Sequence, residues 1–289
     1  MDKDELVELA GNPEFISGIY NYCDRWCERC QFTSRCFLYA TERADSDLDD
    51  PEVRDIRNEK FWTKLQSTFK NAAKMLAEWA AEAGVDLDSV DAKEAMEEHD
   101  REIEKAKQSE LSQAAKRYAM NVETWFKEEF ATEEEMHHDG AITPEPDEVD
   151  LTVRDAAEVI RWYQFFVAAK IFRALTSGDQ TAYEPGEDDI FGRFDNGGPE
   201  NDDDIDYDEV LARADWMDAN GSAKVALIAI DRSISAWRVV QISLPEKAGS
   251  IQPMLLELER LRRATELRFP QARDFIRPGL DESTSRFVS

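Results

Sequence analysis

Residues 58–84 read NEKFWTKLQSTFKNAAKMLAEWAAEAG. Phe61, Leu65, Phe69, Ala72, Leu76, Trp79 and Ala83 step by three or four, the spacing that lines side chains along one face of a helix, and Gly84 stands where a helix C-cap belongs. The stretch predicts an amphipathic helix. The same period recurs along the chain, whereas apolar alternation bounded by turn residues is almost absent. The fold class that follows is all-α.

Towards the N-terminus, Asn12 followed by Pro13 is a helix start signal, and Phe15, Ile16, Ile19, Tyr20, Cys23 and Trp26 continue an apolar stripe. A first helix is therefore expected from Asn12 to about Cys30. A short helical piece from Ser34 to about Ala44 precedes an acidic turn over 45–51.

Towards the C-terminus, Asp91 and Glu94 read as a capping box for a helix running to Phe130, with the stripe Met96, Ile103, Ala106, Leu111, Ala114, Tyr118, Val122 and Trp125. Unbroken, it would be about 60 Å long. Residues 132–150 hold eight acidic side chains and no Lys or Arg, which reads as a solvated linker. Residues 153–175 are apolar nearly all round at their centre, which predicts a buried central helix. A second acidic stretch, 184–206, reads as a mobile loop. Beyond it the sequence predicts a short helix over 210–217 closed by Asn220-Gly-Ser, then a buried helix over 223–242. Pro245 and Gly249 read as a turn. Ser250 caps a last helix to Leu267, stopped by Phe269-Pro270, and the tail after Pro278 reads as frayed.

The segments 91–130, 151–176, 222–242 and 250–268 suffice for an antiparallel helical bundle, with the N-terminal cysteine-bearing segment docked on it. The organisation expected is a metal-binding segment over 1–50, long amphipathic helices over 51–131, the linker 132–150 and a buried-helix half over 151–289, all within one domain.

At 289 residues, 42% of them hydrophobic, the chain can bury a sizeable core, which excludes disorder throughout. A formal charge of −28 repels phosphate backbones and anionic lipid heads, so nucleic acid and membrane surfaces are poor partners. No stretch reaches the roughly 18 to 20 uninterrupted apolar residues of a membrane span, and the start Met1-Asp-Lys-Asp-Glu lacks the basic-then-apolar pattern of a signal sequence. A cytoplasmic protein is expected.

All four cysteines fall within fourteen residues: Cys23, Cys27, Cys30 and Cys36. On a helix, offsets of four and three place the first three within about 60° of one another, and a turn over 31–35 can return Cys36 as a fourth ligand. Four thiolates are the complement for a structural tetrahedral Zn²⁺ or a [4Fe–4S] cluster. One CxxC without a second departs from the usual zinc knuckle, and the flanking Tyr20, Tyr22, Trp26, Phe32, Phe37 and Tyr39 suit a shielded cubane. Arg25, Arg29 and Arg35 offer charge to offset the thiolates. Core packing by reduced cysteines and disulfides are the competing readings.

The triad Cys23-x₃-Cys27-x₂-Cys30 resembles the cluster motif of radical S-adenosylmethionine enzymes over eight residues. That resemblance implies a [4Fe–4S] cluster with one iron open, on a loop after a barrel strand. This chain shows no βα alternation and supplies a fourth cysteine.

Charges interrupt the two most apolar segments: Glu158, Arg161 and Lys170 in the first, Asp231, Arg232 and Arg238 in the second. Buried charges need partners, so the two sets are expected to face each other across the bundle, as a structural network or as a pocket for a small anionic ligand. A di-iron carboxylate bundle requires Glu-x-x-His on two helices. Only His137 and His138 match, through Glu134 and Glu135, and they sit in the acidic linker. Residues 202–209 lack the glycine of a calcium loop, and no phosphate loop or nucleophile motif is present. The expectation is a four-cysteine metal protein with a binding or regulatory role towards a protein or small anionic ligand. An iron–sulfur enzyme or electron carrier, and a metal-free acidic scaffold, are the alternatives.

Overall fold

The computed structural model describes residues 3–44, 50–54, 58–82, 84, 86, 89–129, 148–177, 183 and 207–281. Among the described residues the regular structure is helical, with no strand. The helices are α1 (Lys3–Ala10), α2 (Phe37–Ala44), α3 (Pro51–Arg54), α4 (Glu59–Glu82), α5 (Val90–Gln108), α6 (Glu110–Glu129), α7 (Glu148–Thr176), α8 (Tyr207–Ser243) and α9 (Ala248–Arg268). The chain divides into two compact units, 1–101 with 278–289, and 102–277, so the boundary falls inside α5. Among the described helices, none is long and apolar enough to cross a membrane.

The larger unit is an antiparallel four-helix bundle of α6, α7, α8 and α9, each packed on its neighbours in sequence and α9 closing back on α6. The buried stripe of α7 is Val153, Ala156, Ile160, Tyr163, Val167, Ile171 and Ala174, spaced by threes and fours. This corrects the expectation of a helix apolar all round, because Trp162 and Phe165 of α7 are exposed. Cross-helix polar contacts fix the register. Gln164 donates from Nε2 to Glu123 Oε2 at 3.1 Å, Arg173 makes a two-pronged contact with Asp218, and Asn121 donates to Glu257.

Four local expectations are corrected here. Asn220-Gly-Ser does not end a helix, since α8 runs unbroken for 37 residues, about 55 Å. Buried Asn220 turns its amide onto the Trp216 carbonyl one turn back, and the small side chains let Ala219, Ala223 and Leu227 pack against Ala174, Phe269 and Ala272. That burial outweighs the roughly 1 kcal/mol helix penalty of a glycine. The long helix expected over 91–130 is instead interrupted at Ser109, whose Oγ accepts the Ser112 N–H and caps α6. Ser89, not Asp91, caps α5, accepting the Ala92 N–H at 3.1 Å. Ser250 lies inside α9, where its hydroxyl donates to the Lys247 carbonyl and accepts the Trp125 indole N–H. The linker expectation falls on residues largely outside the described ones, though α7 already begins at Glu148. The loop 184–206 lies wholly outside them.

In the smaller unit, α4 begins after Asn58, whose side chain accepts the Lys60 N–H, and Gly84, with φ +69°, follows its last turn at Glu82, where the sequence places a C-cap. Its stripe is half-buried at Phe61 and Leu65 but exposed at Phe69, Leu76 and Trp79. The helix expected from Asn12 to Cys30 does not form. Asn12 accepts the Glu14 N–H across a turn, and the chain then proceeds by i to i−3 bonds, including Phe15 to Asn12, Asn21 to Gly18 and Cys30 to Cys27. Gly18 (φ +68°) and Arg25 (φ +59°) adopt left-handed backbone that no helix can contain.

Candidate metal centre

Each cysteine is placed by a turn rather than by a helical face. Cys27 opens a 3₁₀ turn over Cys27–Arg29 and Cys30 closes it; Cys36 closes a second, Thr33–Arg35, and its carbonyl accepts the Ala40 N–H at the start of α2. Cys23 lies before the left-handed Arg25. The expected single helical face is thus wrong in mechanism. The four cysteines nevertheless line one small recess. All four are free thiols, partly buried.

The walls of the recess are mostly apolar and aromatic, with Ile19, Tyr20, Trp26, Phe32, Tyr39 and Leu280 around the sulfurs, and Asp24, Arg25 and Thr33 are its polar members. Burial pushes the Cys27 thiol above its ordinary range, Arg25 pulls it down, and Glu42, Cys23 and Cys30 push it up. Two sulfurs already sit in hydrogen bonds. The Phe32 N–H donates to Cys30 Sγ at 3.4 Å, and Cys23 Sγ donates to the Tyr20 carbonyl at 3.5 Å. Among the described residues no three His, Cys, Asp or Glu side chains gather into a group that would hold one metal ion.

Of the three arginines expected to balance thiolate charge, Arg25 lines the recess and pairs with Glu42 at 2.7 Å. Arg29 lies over the Trp26 ring at 4.1 Å, and Arg35 donates from Nε to the Glu14 carbonyl. Tyr22 is buried, and Phe37 packs on Phe15 and Tyr20. Two participants escape a sequence reading. Glu42 sits one turn into α2 with no motif to mark it, and Leu280 comes from the far end of the chain, announced only by Pro278-Gly279.

The charges carried by α7 and α8 find varied partners. Asp231 pairs with Arg273 at 2.6 Å and Arg262 at 3.5 Å, and Arg238 lies 3.7 Å from Glu259, all on the α9 side. Arg161, exposed, lies over Phe126 at 4.3 Å, and Lys170 lies near its own Phe166 one turn back. Arg232 reaches α7, but as a donor to the Tyr163 hydroxyl at 2.6 Å. Glu158 is exposed. His99 is exposed on α5, and His137 and His138 lie outside the described residues. No protein-family model, curated protein or solved structure matches this chain.

Proposed function

We propose that the N-terminal unit is a four-cysteine metal centre, with Cys23, Cys27, Cys30 and Cys36 as ligands, and that the protein acts in binding or regulation. The observation that carries this reading is that the chain's only four cysteines line a single recess. A second observation supports a structural role for the metal. Among the described residues of 1–101, Ile19, Tyr22, Trp26 and Ala80 are the buried hydrophobics, whereas the bundle buries dozens. A unit with so small a core is the kind that a metal staples together.

Free thiols fit a reducing compartment, in keeping with a cytoplasmic protein. The formal charge of −28 turns the choice of partner towards a protein or a small ligand and away from nucleic acid. Elemental analysis of anaerobically purified protein tests the reading. About one metal centre per chain is expected, lost in Cys27→Ser. Less than about a tenth of an equivalent of Zn or Fe in the intact protein would leave the acidic scaffold as the better account.

A further inference from the structure

We propose that the exposed face of α4 is a dimer interface on which a second copy of this chain lays its own α4, antiparallel, independently of the cysteine centre. Trp62, Leu65, Phe69, Ala72, Leu76 and Trp79 follow one another at intervals of three, four, three, four and three, the 3.5-residue period of a coiled-coil seam. Such a seam calls for a second helix along it. Leu65 is half-buried and the other five side chains are exposed, on a 24-residue helix that packs on the four-residue α3.

A second copy fits because the seam has the same order of large apolar side chains from either end. Trp62 and Trp79 lie equally far from the midpoint between residues 70 and 71, as do Leu65 and Leu76, and Phe69 and Ala72. A twofold axis through that midpoint sets Trp62 level with the other copy's Trp79, Leu65 level with Leu76, and Phe69 level with Ala72. Large meets small at the centre, so the layers fill evenly. A parallel pair would stack Phe69 on Phe69 and Ala72 on Ala72, leaving one layer overfull and the next hollow. Antiparallel helices also place each N-terminus beside the other's C-terminus, the favourable arrangement of their dipoles.

Charge and area both permit the pair. The chain carries a formal −28, yet residues 60–77 hold four Lys and no Asp or Glu, so the acidic excess lies away from this face. Helical spacing turns Lys60, Lys64, Lys70 and Lys74 away from the seam, and the flanking Gln66, Thr68, Ala73 and Met75 are uncharged. Trp62, Phe69 and Trp79 are 54 to 67% exposed. With roughly 150 to 250 Å² to bury per aromatic side chain, these three leave about 350 Å² to cover, or about 700 Å² over two copies. Leu65, Leu76, Ala72 and the flanking side chains bring the total past the roughly 1,000 Å² of a specific interface.

The test is sedimentation velocity of the full chain over a concentration series reaching about 100 μM, because a helix pair of this size should dissociate in the micromolar range. A monomer–dimer equilibrium is expected. Phe69→Glu and Leu76→Glu each put a charge into the seam and should raise the dissociation constant about tenfold or more, with far-UV circular dichroism checking that helix content is kept. A second measurement does not depend on those variants folding. A benzophenone side chain in place of Trp62, in mixed light and heavy-isotope chains, should link to residues around position 79 of the other copy. A chain that stays monomeric would overturn the proposal and leave the seam to a helix of another protein. A dimer untouched by both glutamate variants would overturn it as well. Links from position 62 to position 62 would overturn the antiparallel pairing, and links confined to one chain would assign the face to a segment of that same chain.

Discussion

Gly279 lies against Ile16. A Cβ on Gly279, whose φ is +70°, would run into the Ile16 side chain, and the next residue, Leu280, lines the cysteine recess. Only glycine meets both demands, the left-handed backbone and the close approach. Residues near the two ends of the chain therefore share the wall of one small site.

Replacing Gly279 with Ala should destabilise the N-terminal unit by about 2 kcal/mol, combining left-handed strain with overpacking. With Leu280 displaced, the four thiols of the metal-free protein should react several times faster with a thiol reagent. Unchanged reaction rates would show that Leu280 does not cover the recess.

Metal loading should strengthen as pH rises. The ligands bind as thiolates, so each thiol that carries a proton in the free protein must release it, and burial holds the Cys27 proton beyond the ordinary thiol range. Affinity should fall on acidification from about pH 8.5 to about pH 6, and should keep climbing above pH 8.5 while Cys27 is still protonated. Arg25→Ala removes the cation that lowers the Cys27 pKa, which should move the loading curve to higher pH. A competition titration against a chromogenic chelator over this range reads both effects, and a flat profile would contradict thiolate ligation.

In the bundle, Trp237 donates its indole N–H to the Tyr118 hydroxyl at 3.1 Å, with both side chains fully buried. Tyr118→Phe should cost about 1 to 3 kcal/mol, because it strands a buried donor. Pairing it with Trp237→Phe should give less than the sum of the single losses apart from the ring-volume term. Urea midpoints at constant slope are the measurement.

Arg161→Met should cost at most about 1 kcal/mol, since this exposed side chain offers its guanidinium to the face of Phe126 and neutralises no buried carboxylate. Arg173→Met should cost somewhat more, because it breaks the two-pronged contact to Asp218 that ties α7 to α8. Thermal melts with and without small carboxylates and phosphates would expose an anion pocket at Arg161 through a ligand-dependent shift in wild type that the variant lacks.

A helical stripe of the kind seen over 58–84 or 153–175 is a local property, and it specified the helix class, the approximate segments of the bundle and the end of α9 at Phe269-Pro270. The grouping of Cys23, Cys27, Cys30 and Cys36 was equally legible, because their closeness in sequence limits how far apart they can lie. Tertiary structure decided how those local patterns were used. The stripe from Phe15 to Trp26 is satisfied by a series of turns around a small core as readily as by a helix, and the left-handed Gly18 and Arg25 settle it for turns.

Asn220-Gly-Ser went the other way. Its helix penalty is small beside the packing that its small side chains permit, and packing partners such as Phe269 are far away in sequence. Exposure of the α4 stripe, the turning of Asp231 and Arg238 towards α9, and the arrival of Leu280 at the cysteine recess share one cause. Periodicity records which face of a segment is apolar or charged, but it holds no information on which distant segment that face will meet.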